Sequence, residues 1–222
     1  MKFSKRILLL ILLLPLFLTG CGDTPETQIY SHLEEAVKLE EGFQEQQSVI
    51  TQLEKQEQEL YKQIIELGVG ELDKIKQLSQ EAITSIEERT EKIKLEKDSL
   101  DTSQEEFTKT KPIIEEIKDT EIKEKALKMY DAMVKRYEAY EKLYKAYNES
   151  LTLEKELYEM LQLEELNQED LQAQIEEVNK KYQEVIEVND EFNAYTTEYN
   201  ELKKGFYEIA DIQVKYVESS KK

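Results

Sequence analysis

Three sets of side chains could do chemistry in this chain: one cysteine, one histidine, and a run of tyrosines at helical spacing. Cys21 is the sole thiol and follows directly on Leu18, Thr19 and Gly20. Upstream lie a basic segment with Lys2, Lys5 and Arg6 and an apolar run from Ile7 to Leu18, broken only by Pro15. Basic, apolar and small-residue regions in that order are the anatomy of a signal peptide, and the small pair before a cysteine makes it a lipobox. The apolar run is too short to be a transmembrane helix, which needs roughly 20 such residues. The chemistry predicted is therefore acylation: cleavage before Cys21 leaves it as the N-terminus, carrying lipid. Residues 1–20 are read as the signal peptide, 21–24 as a lipidated tether, and the protein as lipid-anchored on the extracytoplasmic face of the cell membrane. A single cysteine permits no intrachain disulfide, so the exported domain must hold together without one.

His32 is the only histidine. That count excludes a zinc site with two or more histidines and the repeated Glu-x-x-His pattern of di-metal bundles. No metal and no cofactor are expected. Gly68-Val69-Gly70 lacks the Lys-Ser/Thr of a phosphate loop, and no EF-hand spacing surrounds Glu164-Glu165. The 49 acidic residues could supply a carboxylate pair for glycoside hydrolysis, but such a pair needs a concave site. Long helical faces do not supply one, so no catalytic residue is assigned and the protein is read as a non-enzyme.

The tyrosines carry the most distinctive pattern. Ala126, Tyr130, Met133, Tyr137, Tyr140, Tyr144, Tyr147, Leu151, Tyr158 and Leu161 alternate in steps of four and three, with Glu154 interrupting. Two readings compete. In one, each ring packs against a facing helix while its hydroxyl reaches a polar partner. In the other, Tyr137, Tyr140, Tyr144 and Tyr147 form a platform on which sugar rings stack. A heptad-spaced stripe must face something apolar to hold a long helix in place, which favours burial.

The elements that must position these residues follow from the same periodicity. A first helix is predicted from 25 to 67, with Thr24 as N-cap and Pro25 at its first position. Its stripe runs from Ile29 to Leu67 and is interrupted by Glu40, Gln47 and Glu57. A second begins at Leu72, and the chain reverses between 109 and 120. The third carries the tyrosines. The fourth is capped by Asn167, and its stripe runs from Leu171 to Tyr216 with Asn189 and Thr196 on the same face. Four such segments joined by short turns predict an all-α, elongated antiparallel up-and-down four-helix bundle over residues 25–218, packed like a coiled coil, with a polar tail at 219–222. It would be a rod roughly 60 to 75 Å long.

Net charge is −19, with 30 Lys and Arg against the 49 acids. So acidic a surface excludes nucleic acid as a partner, because phosphates need basic groups to replace their counterions. It also disfavours adsorption to anionic lipid and teichoic acids. At the end distant from Cys21, Glu159, Glu164, Glu165, Glu169 and Asp170 carry no lysine between them. Acid charge is thus expected to point away from the membrane.

Met133, Arg136, Tyr137, Tyr140, Leu143, Tyr144 and Tyr147 form an M-x-x-R-Y-x-x-Y-x-x-L-Y-x-x-Y run. Leu157-Tyr158-Glu159-Met160-Leu161, Phe192-Asn193-Ala194-Tyr195-Thr196 and Tyr199-Asn200 follow it. With the lipobox, these resemble the YkyA family, cell-wall-binding lipoproteins of low-GC Gram-positive bacteria. The resemblance covers essentially the whole chain after the signal peptide. It implies a long helical bundle anchored outside the membrane that contacts the cell wall, and it carries over no active-site residues. The other readings are a helical adaptor that binds another envelope protein and, third, a wall hydrolase.

Overall fold

The computed structural model describes residues 23–67 and 69–213. Leu18, Thr19, Gly20, Cys21, Gly68, Tyr216 and the tail at 219–222 lie outside them.

Local chemistry sets the helix ends. Thr24 Oγ1 accepts from the Thr27 N–H, and Pro25 opens α1 (Pro25–Leu39). The spacing predicts one continuous helix over 25–67, yet it is interrupted at Glu40, and α2 runs Glu41–Glu66. The cause is a side chain from the next helix. Ser99 Oγ donates to the Leu39 carbonyl at 2.6 Å and accepts from the Phe43 N–H at 3.1 Å, so it stands where the helix's own bond would close. Such an insertion is one of the few ways to kink a helix without proline. Gly42 lets Ser99 approach, since a Cβ there would lie 3.1 Å from its Oγ.

After a 3-10 turn at Val69–Glu71, α3 spans Leu72–Thr108. A break at Lys109 leads into the short α4 (Thr110–Glu116), which accommodates Pro112 in its first turn. The reversal falls at 117–119, inside the predicted window, and Asp119 caps α5 (Thr120–Met160) by accepting from the Glu121 and Ile122 N–H groups. Asn167 caps α6 (Gln168–Ile209) in the same way. That last helix ends short of the predicted stripe. Asp211 takes φ 52°, and the Ile212 N–H bonds the Tyr207 carbonyl at 2.9 Å.

The described residues contain no strand, and the bundle is all-α as predicted. With 42 residues, α6 is about 60 Å long. Neighbours in sequence are neighbours in space: α2 packs on α3, α3 on α5, α5 on α6, and α1 on α3 and α4. The start of α1, the 117–119 turn and the end of α6 share one core, in which Ile29, Ile114, Ala126 and Phe206 are fully buried. A second core at the opposite end joins Ile50, Ile64, Ile86, Ile93, Leu151 and Tyr158. Only the partly buried Val185 enters that second core from α6.

Polar layers cross the apolar core at heptad intervals. On α3 the seam reads Ile86, Arg89, Ile93, Glu96, Leu100, Ser103 and Phe107, all buried. Each polar member meets one of the residues that interrupt the other stripes. Ser103 donates to Glu40 at 3.1 Å and pairs with Tyr137 Oη at 3.0 Å. Glu96 accepts from Gln47 at 2.6 Å and from Tyr140 at 2.9 Å. Arg89 bonds both Glu57 and Glu154.

Candidate functional site: the open seam between α2 and α6

One side of the four-helix square is not closed. Near the end where α1 begins, aromatic rings bridge α1 and α2 to α6: Tyr30 meets Tyr207 at 5.4 Å between centroids, and Phe43 meets Phe192 at 5.9 Å. Beyond these contacts α2 and α6 hardly approach one another, because α6 packs chiefly on α5. The stripe of α6 that should have been buried is consequently half open. Val178 is buried, but Leu171, Ile175 and Val185 are only half-buried and Tyr182 is 37% exposed, with Ile186 beside them 54% exposed.

Two cavities lie along this seam. The proximal one, about 400 Å³, mixes polar and apolar walls: Asn189, Asn193, Thr196 and Asn200 of α6 line it with Glu40, Gln44 and Gln47, beside Val37, Phe43 and Leu143. Its floor is Arg136, which grips Glu40 through two bonds of 2.7 and 2.8 Å and donates to Thr196 Oγ1 at 3.0 Å. The guanidinium also lies 4.9 Å from the Phe192 ring centroid, a cation–π contact. At the cavity's edge, burial pulls the Lys203 ammonium down from its ordinary value.

The distal cavity is larger, about 620 Å³, and holds a buried cluster of charged side chains. Arg89 is 2% exposed and bonds two carboxylates, Glu57 and Glu154, that are themselves buried. Tyr158 Oη donates to Glu57 at 2.9 Å, and Tyr147 Oη donates to Glu54 at 2.7 Å. Burial, followed by repulsion from Glu154, pushes the Glu57 carboxyl up to about 7 even though Arg89 and Tyr158 pull it down. Arg89 stays protonated, since two adjacent carboxylates outweigh the effect of its burial. Above the cluster, Tyr61 and Tyr182 line the walls with Val178, Val185 and Ile186. A hollow of about 680 Å³ on the α3–α5 side differs in kind. It contains no aromatic residue, and the Lys155–Glu87 ion pair at 2.8 Å joins its two sides.

The tyrosines proposed as a stacking platform are placed mostly inside. Tyr137 is 3% and Tyr140 1% exposed, so neither offers a ring face to a ligand. Their hydroxyls reach Ser103 and Glu96, the arrangement the burial reading describes. Tyr147 is nearly buried in the floor of the distal cavity. Tyr144 is half-buried, with Lys97 Nζ 5.8 Å from its ring centroid. The open rings of the seam are Tyr61, off the predicted stripe of the first helix, and Tyr182, a member of the α6 stripe expected to be buried. The acid cluster at the far end is also less bare than predicted, because Lys76 of α3 pairs with Glu164 at 3.5 Å. His32 bonds Glu106 at 2.6 Å on the flank of the bundle, away from both cavities.

Among the described residues, no group of three or more His, Cys, Asp or Glu side chains could hold a metal ion. No described helix is long and apolar enough to cross a membrane.

Comparison with known proteins agrees with this architecture. The family model for YkyA, described as "putative cell-wall binding lipoprotein", matches residues 24–209. An uncharacterized lipoprotein YkyA of Bacillus subtilis (strain 168) is 38% identical over 201 residues, covering 90% of each chain. The 1.6 Å crystal structure of a conserved Staphylococcus aureus protein of unknown function superposes with a TM-score of 0.72 at 16% identity. That superposition covers 83% of this chain and 96% of that one, and it speaks to the fold alone.

Proposed function

The chain belongs to the YkyA family, and from that premise we propose that it is a non-enzymatic lipoprotein whose open α2–α6 seam binds the glycan strands of the cell wall. Cys21 is its lipid anchor on the outer face of the cell membrane, residues 1–20 are its signal peptide, 21–24 its tether, 25–218 the binding rod and 219–222 a polar tail. The observation that carries the reading is the seam itself. It is a long cleft with open tyrosine rings above buried polar groups, the mixture by which proteins hold sugars: rings for the apolar faces of pyranoses, fixed polar groups for their substituents. The acidity of the chain makes a neutral glycan a better ligand than a polyanion.

Support for a non-catalytic role comes from the only deeply buried acid pair in the distal cavity. Glu57 and Glu154 share one guanidinium beneath the cavity, whereas glycoside cleavage needs its two carboxyl groups on opposite sides of the scissile bond. A protein partner laid along the same seam is the second reading, favoured by the exposed Ile186 and by Ile65, 62% exposed at the distal tip.

Co-sedimentation with purified sacculi stripped of teichoic acids is the test. Saturable, salt-insensitive binding is expected. Changing Tyr61 and Tyr182 together to alanine should weaken it by about tenfold, the sum of two ring contacts. Binding that vanishes with modest salt, or that ignores the double change, would count against the seam.

A further inference from the structure

Within the distal cavity two polar atoms lack partners. Arg89 Nε donates to nothing and Glu154 Oε1 has no well-formed hydrogen bond, only the loose approach of the Tyr182 hydroxyl to its carboxylate, although both side chains are at least 98% buried and line the same cavity. Native proteins rarely leave such groups unpaired, and each costs free energy as it stands. The two have opposite needs: one must give a hydrogen bond and the other must receive one. A secondary amide meets both at once, through its carbonyl and its N–H. The surroundings suit what such a group carries, since Leu157 and Val178 supply buried apolar surface for a methyl and Tyr61 lies in the same wall for a ring face. Tyr182 is the cover. It sits on the exposed half of α6, and its hydroxyl faces Glu154, Glu57 and Arg89.

We propose that the distal cavity reads the acetamido group of an N-acetylated sugar, with the amide carbonyl accepting from Arg89 Nε and the amide N–H donating to Glu154 Oε1 once Tyr182 swings aside. The inference rests on the glycan-binding reading above and adds to it the substituent recognised. Wall polymers contain secondary amides in two places, the acetamido sugars and the stem peptides. The ring faces of Tyr61 and Tyr182 beside the unpaired atoms select the sugar.

Calorimetric titration of the full-length protein in detergent separates the cases. Three probes are used: the β-1,4-linked tetramer of N-acetylglucosamine, cellotetraose, which has a hydroxyl in place of each acetamido group, and a glycan-free stem peptide. The acetylated tetramer should bind at least about tenfold more tightly than either of the others, as expected when a buried donor and acceptor are left unmatched by the poorer ligand. Ile186→Trp, placed at an exposed position on the cavity mouth where a larger ring displaces no core residue, should abolish that preference. Cellotetraose binding as tightly as the tetramer would overturn the proposal and show that a trapped water satisfies the pair. Tighter binding of the stem peptide would overturn it in favour of the peptide amide. Sacculi that sediment the protein while the tetramer fails to bind would overturn this inference and leave the wall reading intact. Failure of both would remove the two together.

Discussion

Arg89→Met should lower the stability of the bundle by about 3 to 5 kcal/mol, the usual consequence of stranding buried charge by removing its partner. Glu57 and Glu154 would then face each other in the core with no cation between them, in a layer where both are buried. The loss should be read from urea denaturation and should be smaller at pH 5 than at pH 8, because protonation relieves the stranded pair. A companion variant separates charge from volume. Arg89→Met combined with Glu154→Leu and Glu57→Gln keeps an acceptor for Tyr158 while discharging the layer, and it should recover most of the lost stability. If Arg89→Met alone costs less than about 1 kcal/mol, the layer is far more hydrated than its burial implies.

The second large effect concerns pH. Burial pushes the Glu96 carboxyl up to about 7, against the hydrogen bonds from Tyr140 and Gln47 that favour its ionised form. A carboxyl whose pKa is raised on folding holds its proton in the folded state at pH values where the unfolded chain has already released it. Stability should therefore fall as pH rises from about 4.5 to about 7 and level off above, with Glu57 acting in the same direction. A rise from 4.5 to about 7 corresponds to roughly 3 kcal/mol for Glu96. Glu106, Glu115 and Glu149 are lowered by neighbouring cations, so their contributions fade only below the ordinary carboxylate range and do not mask this window. Urea midpoints at pH 5 and pH 8 should differ accordingly, Glu96→Gln should shrink the difference, and Glu57→Gln added to it should remove most of the remainder. Equal midpoints at the two pH values in the wild-type chain would contradict this account of both carboxyls.

Three polar layers thus do what an all-apolar core cannot. A rod of four similar heptad stripes could slide by a heptad at small cost, whereas Arg89, Glu96 and Ser103 each find their hydrogen-bond partners in one alignment only. Buried polar groups that fix register at some expense in stability are the best-attested use of such layers.

Much of this was legible from spacing. Caps at Thr24 and Asn167, the reversal inside 109–120 and the four-segment plan follow from chemistry within a few residues of each site. The polar layers were half visible. Glu40, Gln47, Glu57 and Glu154 show as interruptions of apolar stripes, but Arg89, Glu96 and Ser103 fall on the same four-and-three register as Ile86, Ile93 and Leu100 and are hidden there, because the apolar residues already make a continuous heptad series around them. A compositional signal pointed the same way. Beyond residue 20 the chain uses lysine almost throughout, and its two remaining arginines, Arg89 and Arg136, are the two buried cations among the described residues. The break at Glu40 was not legible, since it depends on Ser99 arriving from another helix. Nor was the seam. Leu171, Ile175, Val178, Tyr182 and Val185 have the spacing of a buried face, and only the lean of α6 onto α5 leaves that face partly open.

The central claim is that the α2–α6 side of the rod, and not another side, meets the wall. A photo-crosslinking residue placed at exposed Gln58 on the seam, and in a separate variant at exposed Glu87 in the α3–α5 hollow, tests it in living Gram-positive cells. After irradiation and digestion of the wall, adducts of muropeptide sugars should appear on the Gln58 variant and be absent from the Glu87 variant. Equal adducts from both positions, or adducts from Glu87 alone, would contradict a seam that binds glycan.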